Sequence, residues 1–329
     1  MMKGVHLLMY SNAITRRIED LERLSPPLTA RPDLESYWEE TLSAYANKPL
    51  RATRALVDTP YTEMTVYKVS YEGFDDTPIY GWYILPRRAA EAGEKVPCVV
   101  LYHGYSGSRG YPENYASFTM MGVAVFAIDI RGQNGETGNL NPQHHGMARG
   151  WITQGILHRD TCYYRAITLD AIKALDWASE QPEVDAARIC AQGGSQGGGL
   201  ALIAAALSDK PAIAVAHIPN MCQMDFGILN SSSSLSEVAQ FCERFPEHLE
   251  TALETLSYYD NMNLAHRIRI PLFVSVGLKD TVTMPETIYA AYNRILCDKR
   301  IVPSPFSGHT VTGDQNRQAM TFIAERLLG

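Results

Sequence analysis

Apolar runs separated by amphipathic stretches dominate the chain from about residue 96 onward. The apolar runs predict strands at residues 96–102, 122–128, 188–192, 212–218 and 270–276, with a short strand near 300–303. The stretches between and after them predict helices at residues 113–120, 160–180, 196–207, 286–296 and 315–328. Near-continuous apolar strands alternating with helices are typical of a mostly parallel sheet covered on both faces. We therefore predict an α/β fold.

The chain before this alternation has a different pattern. Residues 14–24 and 33–46 have helical periodicity and are separated by Pro26 and Pro27, so residues 1–60 are predicted to form a peripheral helical extension. Residues 64–71 and 79–85 alternate apolar and polar side chains on either side of a turn-like segment, which predicts an antiparallel start to the sheet.

Two later segments interrupt the alternation. Residues 132–155 are rich in Gly, Asn and His and are predicted to be irregular. Residues 220–260 contain the serine run 231–234 and are predicted to form a helical insertion above the sheet, near the carboxyl ends of the strands. We expect residues 1–329 to form a single domain with these two additions.

Composition excludes several classes of partner. The chain has 329 residues, a net charge of −7 and 46% hydrophobic residues, without a basic stripe, which argues against nucleic acid or an anionic membrane as the main partner. Residues 1–10 lack the long apolar run of a secretory signal, and no segment approaches the ~20 apolar residues of a membrane span. The six cysteines are scattered without C-x-x-C pairs, so we predict buried free thiols in a cytoplasmic protein.

One serine stands where its hydroxyl could become a nucleophile. Residues 193–197 read GGSQG and lie between a predicted strand and a predicted helix. A G-x-S-x-G turn in that context is the nucleophile elbow of α/β-hydrolases, which makes Ser195 the candidate nucleophile. The pentapeptide alone is weak evidence, because glycine and serine are common and a glycine-rich turn can carry an inert serine.

The partners of such a serine follow it in the order acid, then histidine. Asp280 comes directly after an apolar strand and a short turn, so we expect it at the edge of the sheet that carries the elbow. His309 is the only histidine after Asp280 and lies between the last strand and the last helix. The alternatives are a solvent-exposed turn aspartate and an unrelated surface histidine.

A tetrahedral intermediate also requires hydrogen-bond donors for its oxyanion. The backbone N–H of Gln196 is one candidate, because Gln196 follows the serine, and the N–H of Tyr105 in the loop after residues 96–102 is the other. We expect His103 to support this loop rather than to react. His144 and His145 are adjacent, which separates their rings, so the sequence predicts neither a metal site nor a cofactor.

Several motifs occur together over nearly the whole chain. They are RGQ at 131–133, GGSQGGG at 193–199, GLKD at 277–280, HGY at 103–105, and GWITQGIL at 150–157 leading to DTCYYR at 160–165. With these motifs the chain resembles carbohydrate esterase family seven, the acetyl xylan esterases and cephalosporin C deacetylases of the α/β-hydrolase superfamily. The resemblance implies that Ser195 is the nucleophile, Asp280 the orienting acid and His309 the base, with Tyr105 and Gln196 as oxyanion donors.

The resemblance further implies that Arg131 and Gln133 support the site structurally. It implies a cytoplasmic enzyme without a metal that deacetylates small acetylated sugars and cephalosporin C, and that often forms hexamers. Two positions depart from the family pattern. Thr310 follows His309 where the family usually has glutamate, and His217 follows the strand where the family tends to place an acidic and aromatic group.

Three other functions are compatible with parts of the sequence. A serine peptidase of the prolyl oligopeptidase type shares the fold, but the ~95 residues before the core are too few for the propeller domain of those enzymes. A short-chain carboxylesterase with another substrate would use the same residues. A binding protein with a decayed hydrolase site is disfavoured by the complete set of serine, acid, histidine and oxyanion positions.

Overall fold

The computed structural model describes residues 12–146 and 149–329. The expected lack of a secretory signal concerns residues 1–10, which lie outside the described residues. Within the described part, the strands are β1 (Thr53–Val57), β2 (Met64–Glu72), β3 (Pro78–Pro86), β4 (Val96–Tyr102), β5 (Ala124–Ile128), β6 (Val184–Gly194), β7 (Ile213–His217), β8 (Leu272–Gly277) and β9 (Lys299–Ser304).

Helices precede, separate and follow these strands. They are α1 (Ala13–Glu22), α2 (Leu34–Tyr45), α3 (Arg87–Ala92), α4 (Ala116–Met120), α5 (Tyr163–Ser179), α6 (Gln196–Leu207), α7 (Met224–Asn230), α8 (Ser236–Arg244), α9 (Leu249–Ser257), α10 (Asn261–Leu264), α11 (Pro285–Tyr292) and α12 (Gly313–Leu327). Short 3-10 helices occur at Pro112–Tyr115, Pro246–His248 and Ala265–Arg267.

The strands form one sheet in the order β1-β2-β3-β5-β4-β6-β7-β8-β9. The antiparallel part comprises β1, β2 and β3 together with the pairing of β3 to β5, and all pairings from β5 through β4 to β9 are parallel. The predicted mostly parallel α/β architecture with an antiparallel start is confirmed.

Two buried cores cover the two faces of this sheet. Successive residues of a strand point to opposite faces. In β4, Val100 belongs to the core that contains Leu200 of α6, whereas Val99 belongs to the core that contains Phe322 of α12. Burial on both faces explains why the parallel strands are continuous apolar runs rather than alternating ones.

The N-terminal extension is less helical than its sequence predicts. Residues 53–57 form strand β1, which pairs with β2 at the edge of the sheet. Four of its five residues are exposed, so the strand lacks the apolar signal by which the other strands were found. The helix α2 is anchored by Trp38, which is fully buried and donates its indole N–H to the carbonyl of Tyr258 at 2.9 Å.

The structure describes most of the first interrupting segment and all of the second. The described residues from 132 to 155 contain neither helix nor strand. Helices α7, α8 and α9 lie between β7 and β8, within the segment predicted as an insertion. No helix in the described ranges has the length and hydropathy of a membrane span. All six cysteines are free thiols, of which five are buried and Cys297 is half-buried.

A single buried carboxylate ties the two ends of the insertion together. Asp260 accepts hydrogen bonds from the backbone N–H groups of Gln223 and Met262 at 2.8 Å and of Met224 at 2.6 Å. These groups lie at the start of α7 and in α10, where backbone N–H groups have no intrahelical acceptor. Asp260 is 1% exposed, so water cannot replace it without rearrangement.

We predict that Asp260→Ala lowers the free energy of unfolding by about 3 kcal/mol or more, because three buried N–H groups lose their acceptor. Urea unfolding followed by circular dichroism measures this change. The control is Asp209→Ala at a surface carboxylate, whose side chain is 89% exposed and which should change stability by less than about 0.5 kcal/mol. A loss below about 1 kcal/mol in Asp260→Ala would contradict the prediction.

Candidate active site

The turn from β6 into α6 places Ser195 in a strained conformation. Its φ of 56° and ψ of −119° lie in a region that residues other than glycine rarely adopt. A Cβ added at Gly193 would lie 2.3 Å from the carbonyl of Gly197, and one added at Gly197 would lie 1.9 Å from the carbonyl oxygen of Tyr102. Both flanking glycines are therefore sterically required, as in a nucleophile elbow.

Backbone hydrogen bonds hold this turn in place. The Ser195 N–H donates to the carbonyl of His217 at the end of β7, at 2.9 Å. The Ser195 carbonyl accepts from the N–H of Asn220 at 2.9 Å and from that of Gly199 at 3.0 Å. The strained residue is thus fixed by the neighbouring strand as well as by its own helix, which keeps the hydroxyl in one position.

Of the three residues predicted to act together, His309 lies within hydrogen-bond distance of both Ser195 and Asp280. His309 Nε2 lies 3.0 Å from Ser195 Oγ, and His309 Nδ1 lies 2.8 Å from Asp280 Oδ2. A carboxylate can only accept, so the Nδ1 proton faces Asp280 and the Nε2 lone pair faces the serine hydroxyl. This tautomer is the one in which a histidine can remove the proton of a serine.

The acid is held by its own loop. Asp280 Oδ1 accepts from the N–H groups of Val282 at 2.8 Å and Thr283 at 3.0 Å, and Oδ2 accepts from the Thr283 hydroxyl at 3.0 Å. The Asp280 side chain is fully buried. Thr283 was not identified from the sequence, although an aspartate followed three residues later by threonine is a local pattern typical of such turns.

The loop after β4 lies beside the elbow. A Cβ added at Gly104 would lie 3.6 Å from the Cβ of Ser195. Gln196 is the first residue of α6, so its N–H has no intrahelical acceptor. The N–H of Tyr105 likewise has no backbone acceptor among the described residues. Two unoccupied backbone donors therefore belong to segments that adjoin the serine.

His103 fixes the peptide that carries the Tyr105 N–H. His103 Nε2 accepts from the N–H of Ile130 at 2.8 Å, so the proton is on Nδ1, which donates to the Gly104 carbonyl at 2.8 Å. The Gly104 carbonyl also accepts from the N–H of Gly107 at 3.0 Å. Because the peptide is planar and trans, holding the Gly104 carbonyl also sets the direction of the Tyr105 N–H. Burial lowers the pKa of His103, which favours this neutral form.

Arg131 lies in a buried ionic network. Its guanidinium bonds to Asp75 at 2.8 and 2.9 Å and to Asp170 at 2.6 and 2.9 Å, and its side chain is fully buried. These two carboxylates come from the turn between β2 and β3 and from α5, and neither was identified from the sequence. The network joins the antiparallel edge of the sheet to the loop after β5.

Gln133 connects that loop to the elbow. Its Nε2 donates to the hydroxyl of Tyr163 at 2.9 Å and to Oε1 of Gln196 at 3.0 Å. The Tyr163 hydroxyl in turn donates to the carbonyl of Arg131 at 2.6 Å. Gln133 therefore contacts the side chain of the residue that follows Ser195, whereas Arg131 acts through the loop backbone.

The two positions that depart from the family pattern differ in their surroundings. Thr310 is exposed, and its backbone N–H and carbonyl bond to Gly308 at 2.8 Å and to the hydroxyl of Ser307 at 3.1 Å. His217 is 5% exposed, and its Nδ1 lies 2.9 Å from the hydroxyl of Ser275. Thr310 thus lies on the surface of the loop that carries His309. His217 is buried at the end of β7, where its carbonyl accepts from the Ser195 N–H.

These features define the α/β-hydrolase class of protein: a mostly parallel sheet, a serine on a strained strand-to-helix turn, and an acid and a histidine from later loops. Residues 13–326 match the model of the acetyl xylan esterase family (AXE1), and the chain belongs to this family. The family resemblance drawn from the sequence is confirmed, and the protein is a carboxylic ester hydrolase.

Three relatives illustrate this similarity. An acetyl xylan esterase from a Paenibacillus species is 38% identical with a TM-score of 0.90, covering 94% of this chain and 99% of that one. Acetyl xylan esterase 1 from a Thermoanaerobacterium species is 28% identical with a TM-score of 0.87, covering 94% of this chain and 98% of that one. The acetyl esterase Axe7A of Xylanibacter ruminicola is 26% identical, over 92% of this chain and 69% of that protein.

We predict that His217 makes the folded protein less stable at acidic pH. Burial lowers its pKa from the ordinary value of 6.5 to about 4, so between these values the unfolded chain binds more protons than the folded one. The contribution of neutral His217 to the free energy of unfolding is present above pH 6.5 and is lost as the pH falls toward 4. It should account for a loss of about 2 kcal/mol between pH 7 and pH 5.

Urea unfolding at the two pH values measures this contribution. His217→Gln should lose less stability on acidification than the wild type, by about 2 kcal/mol. The exposed residue His144 provides the control, because His144→Gln should keep the wild-type pH dependence. Equal slopes in wild type and His217→Gln would contradict the prediction.

Proposed function

We propose that this protein is a serine esterase that removes acetyl groups from small acetylated carbohydrates, such as xylo-oligosaccharides, through an acyl-enzyme. The observation that carries the proposal is the continuous hydrogen-bond chain from Asp280 through His309 to Ser195. Membership of the acetyl xylan esterase family supports the reaction, and the names of the relatives support acetyl as the acyl group.

In the first half-reaction, Ser195 Oγ attacks the ester carbonyl carbon while its proton passes to His309 Nε2. Asp280 accepts from Nδ1 and stabilises the imidazolium that forms. The N–H groups of Tyr105 and Gln196 donate to the carbonyl oxygen as it becomes negative. The bond to the sugar oxygen then breaks, and that oxygen leaves as an alcohol after taking the proton from His309.

In the second half-reaction, water repeats the attack on the acyl-enzyme. His309 takes a proton from the water, whose oxygen adds to the acyl carbon, and the same N–H groups hold the oxyanion. The bond to Ser195 Oγ breaks, acetate leaves, and the proton on His309 returns to the serine. Neither half-reaction requires a metal or a cofactor, because the proton moves between groups of the chain, the sugar and water.

Arg131 and Gln133 have supporting roles in this proposal. Gln133 steadies the side chain of Gln196, and Arg131 holds the loop from which Gln133 projects. We extend the proposal to cephalosporin C, because its ester carries the same acetyl group and the family resemblance includes enzymes that remove it. We expect that threonine in place of the family's usual glutamate at position 310 changes how the loop of His309 is held and does not abolish catalysis. The exposure of Thr310 at the surface of that loop supports this expectation.

The proposal is tested by Ser195→Ala. We predict that kcat for 4-nitrophenyl acetate falls at least about 1,000-fold, because the attacking oxygen is removed while binding and the oxyanion donors remain. Release of 4-nitrophenolate measures the rate, and Ser36→Ala on the exposed face of α2 is the control that should match the wild type. Near wild-type hydrolysis by Ser195→Ala would contradict the proposal. Rates on acetylated xylo-oligosaccharides and cephalosporin C then rank the substrates.

We also propose that the chain is one domain, with residues 1–60 as a peripheral extension and 220–260 as an insertion. One buried core contains Trp38 of α2, Val100 of β4 and Phe241 of α8, which supports this organisation. A cytoplasmic location is proposed with it. The free state of all six cysteines supports that location, since disulfides are rare in reducing compartments.

The last element of the proposal is a homo-oligomer, a hexamer by the family resemblance. The exposed edge strand β1 supports it, because an unpaired strand edge with Leu56 68% exposed is suited to contact another copy. We predict a mass near six times the 36.6 kDa of one chain by size exclusion with light scattering. A monomer at micromolar concentration would contradict the oligomer but leave the esterase proposal intact.

A further inference from the structure

The side chain of Tyr105 makes a specific contact with the segment between β7 and β8. Its hydroxyl donates to Oε2 of Glu237 at 2.7 Å and accepts from the backbone N–H of Trp151 at 2.9 Å. The acceptor role toward Trp151 is fixed because a backbone N–H can only donate, so the hydroxyl proton is directed to the carboxylate. A charge-assisted bond of this kind is among the stronger hydrogen bonds in proteins.

The surrounding backbone is shaped to admit the carboxylate. Gly150 has a φ of 95°, and a Cβ added there would lie 2.2 Å from both carboxylate oxygens of Glu237 and 2.3 Å from the Tyr105 hydroxyl oxygen. The backbone of Ile152 also lies close to the carboxylate of Glu237. Residues 150–152 therefore form a close backbone cradle around the contact, and Gly150 is the residue type that leaves room for it.

Glu237 belongs to the first turn of α8 in the insertion. Helix α8 is anchored by the buried side chains of Val238 and Phe241, so the position of Glu237 is set by the packing of the insertion. Beside this contact, the rings of Tyr105 and Trp151 pack edge to face, with their centroids 5.3 Å apart.

The same insertion reaches the other two catalytic segments. In the serine run, the hydroxyl of Ser231 donates to the carbonyl of Val282 at 2.8 Å, and the N–H of Ser232 donates to the carbonyl of Thr281 at 3.0 Å. The Asn220 Nδ2 donates to the hydroxyl of Ser234 at 3.0 Å. The insertion thus contacts the loop of the acid and, through Asn220, the backbone that holds the elbow.

The loop after β4 (residues 103–107), here termed the oxyanion loop, needs support from several sides, because Ser106 next to Tyr105 has a φ of 55° that is unfavourable for a residue with a Cβ. From below, His103 holds the Gly104 carbonyl, and from the loop after β5, Asn134 Nδ2 donates to the Ser106 carbonyl at 2.6 Å. Those contacts act on the backbone before and after Tyr105. The hydrogen bond of Tyr105 to Glu237 acts from another direction, that of the insertion.

We propose that Glu237 is a positioning residue that holds the Tyr105 hydroxyl and thereby orients the Tyr105 N–H toward the oxyanion, making α8 part of the catalytic scaffold. The proposal rests on the function proposed above, in which that N–H is an oxyanion donor. A donor displaced by a fraction of an ångström loses transition-state stabilisation while ground-state binding changes little, so the effect falls on kcat rather than on KM.

Near-isosteric variants test the contact in the full-length protein. Tyr105→Phe removes the hydroxyl but keeps the backbone N–H, and Glu237→Gln removes the charge but keeps the shape. We expect Tyr105→Phe to lower kcat for 4-nitrophenyl acetate about 10-fold with KM within about 2-fold, which corresponds to one lost hydrogen bond to a charged group. Glu237→Gln keeps an amide oxygen that accepts from the hydroxyl, so we expect a smaller loss of kcat, again with KM within about 2-fold. Glu237→Ala should lose at least as much, and the control Glu243→Gln, at an exposed position of the same helix, should match the wild type.

The double variant separates positioning from general damage. If hydroxyl and carboxylate act as one unit, Tyr105→Phe combined with Glu237→Gln should be no slower than the slower single variant. Losses that multiply would overturn the proposal, as would a kcat of Glu237→Ala within 2-fold of the wild type, or an equal loss in Glu243→Gln. If Glu237→Ala does not fold, the two conservative single variants decide the question.

A second readout isolates the oxyanion. Butylboronic acid adds to a serine hydroxyl to give a tetrahedral adduct with an oxygen in the oxyanion position. We expect its inhibition constant to rise in each Tyr105 and Glu237 variant by about the factor by which kcat falls, with unchanged inhibition by the product acetate. Unchanged boronate inhibition in these variants would overturn the positioning role. Boronate binding that persists in Ser195→Ala would instead count against the proposed function, so the two failures are distinguishable.

Discussion

The close approach of backbone to backbone around Ser195 is the constraint on which the site depends. The serine can project from the end of β6 only in a conformation that is strained for it, and that conformation is admitted because Gly193 and Gly197 leave no Cβ in the way. The strain is held by hydrogen bonds to His217 and Asn220. Those bonds require β7 to lie beside β6, so the register of the sheet fixes the position of the hydroxyl.

The same parallel sheet explains why distant parts of the chain meet at this serine. Strands β4, β6, β7 and β8 are consecutive neighbours in the sheet and all point the same way, so the loops that follow them open at one edge. Three of these loops each carry one of the proposed site residues: Tyr105 after β4, Ser195 after β6 and Asp280 after β8. The residues at the end of β7 hold the backbone of the elbow. His309 comes from the loop after β9 at the end of that series. The order of strands, rather than proximity in sequence, therefore determines which residues can cooperate.

This dependence also explains what the sequence could and could not predict. The buried strands, the elbow and the order of Ser195, Asp280 and His309 follow from local patterns that the fold requires, and all three side chains are found in contact. Strand β1 was not predicted, because four of its five residues are exposed and give no apolar pattern. The sequence also did not identify three carboxylates, those of Asp75, Asp170 and Glu237. Carboxylates are common on surfaces, and only the folded backbone shows which of them face Arg131 or Tyr105.

The contrast between Thr310 and Glu237 shows where support for such a site has to come from. The residue next to His309 can be exposed, as Thr310 is, because Asp280 and the buried turn around Thr283 already fix the imidazole. The oxyanion loop also contains a turn, closed by the Gly107 N–H on the Gly104 carbonyl, but Ser106 within that turn is itself strained. A loop of that kind needs a partner from a separately packed element, and α8 provides one through Glu237. In the proposed mechanism, an insertion between β7 and β8 therefore contributes to the rigidity of the oxyanion donors.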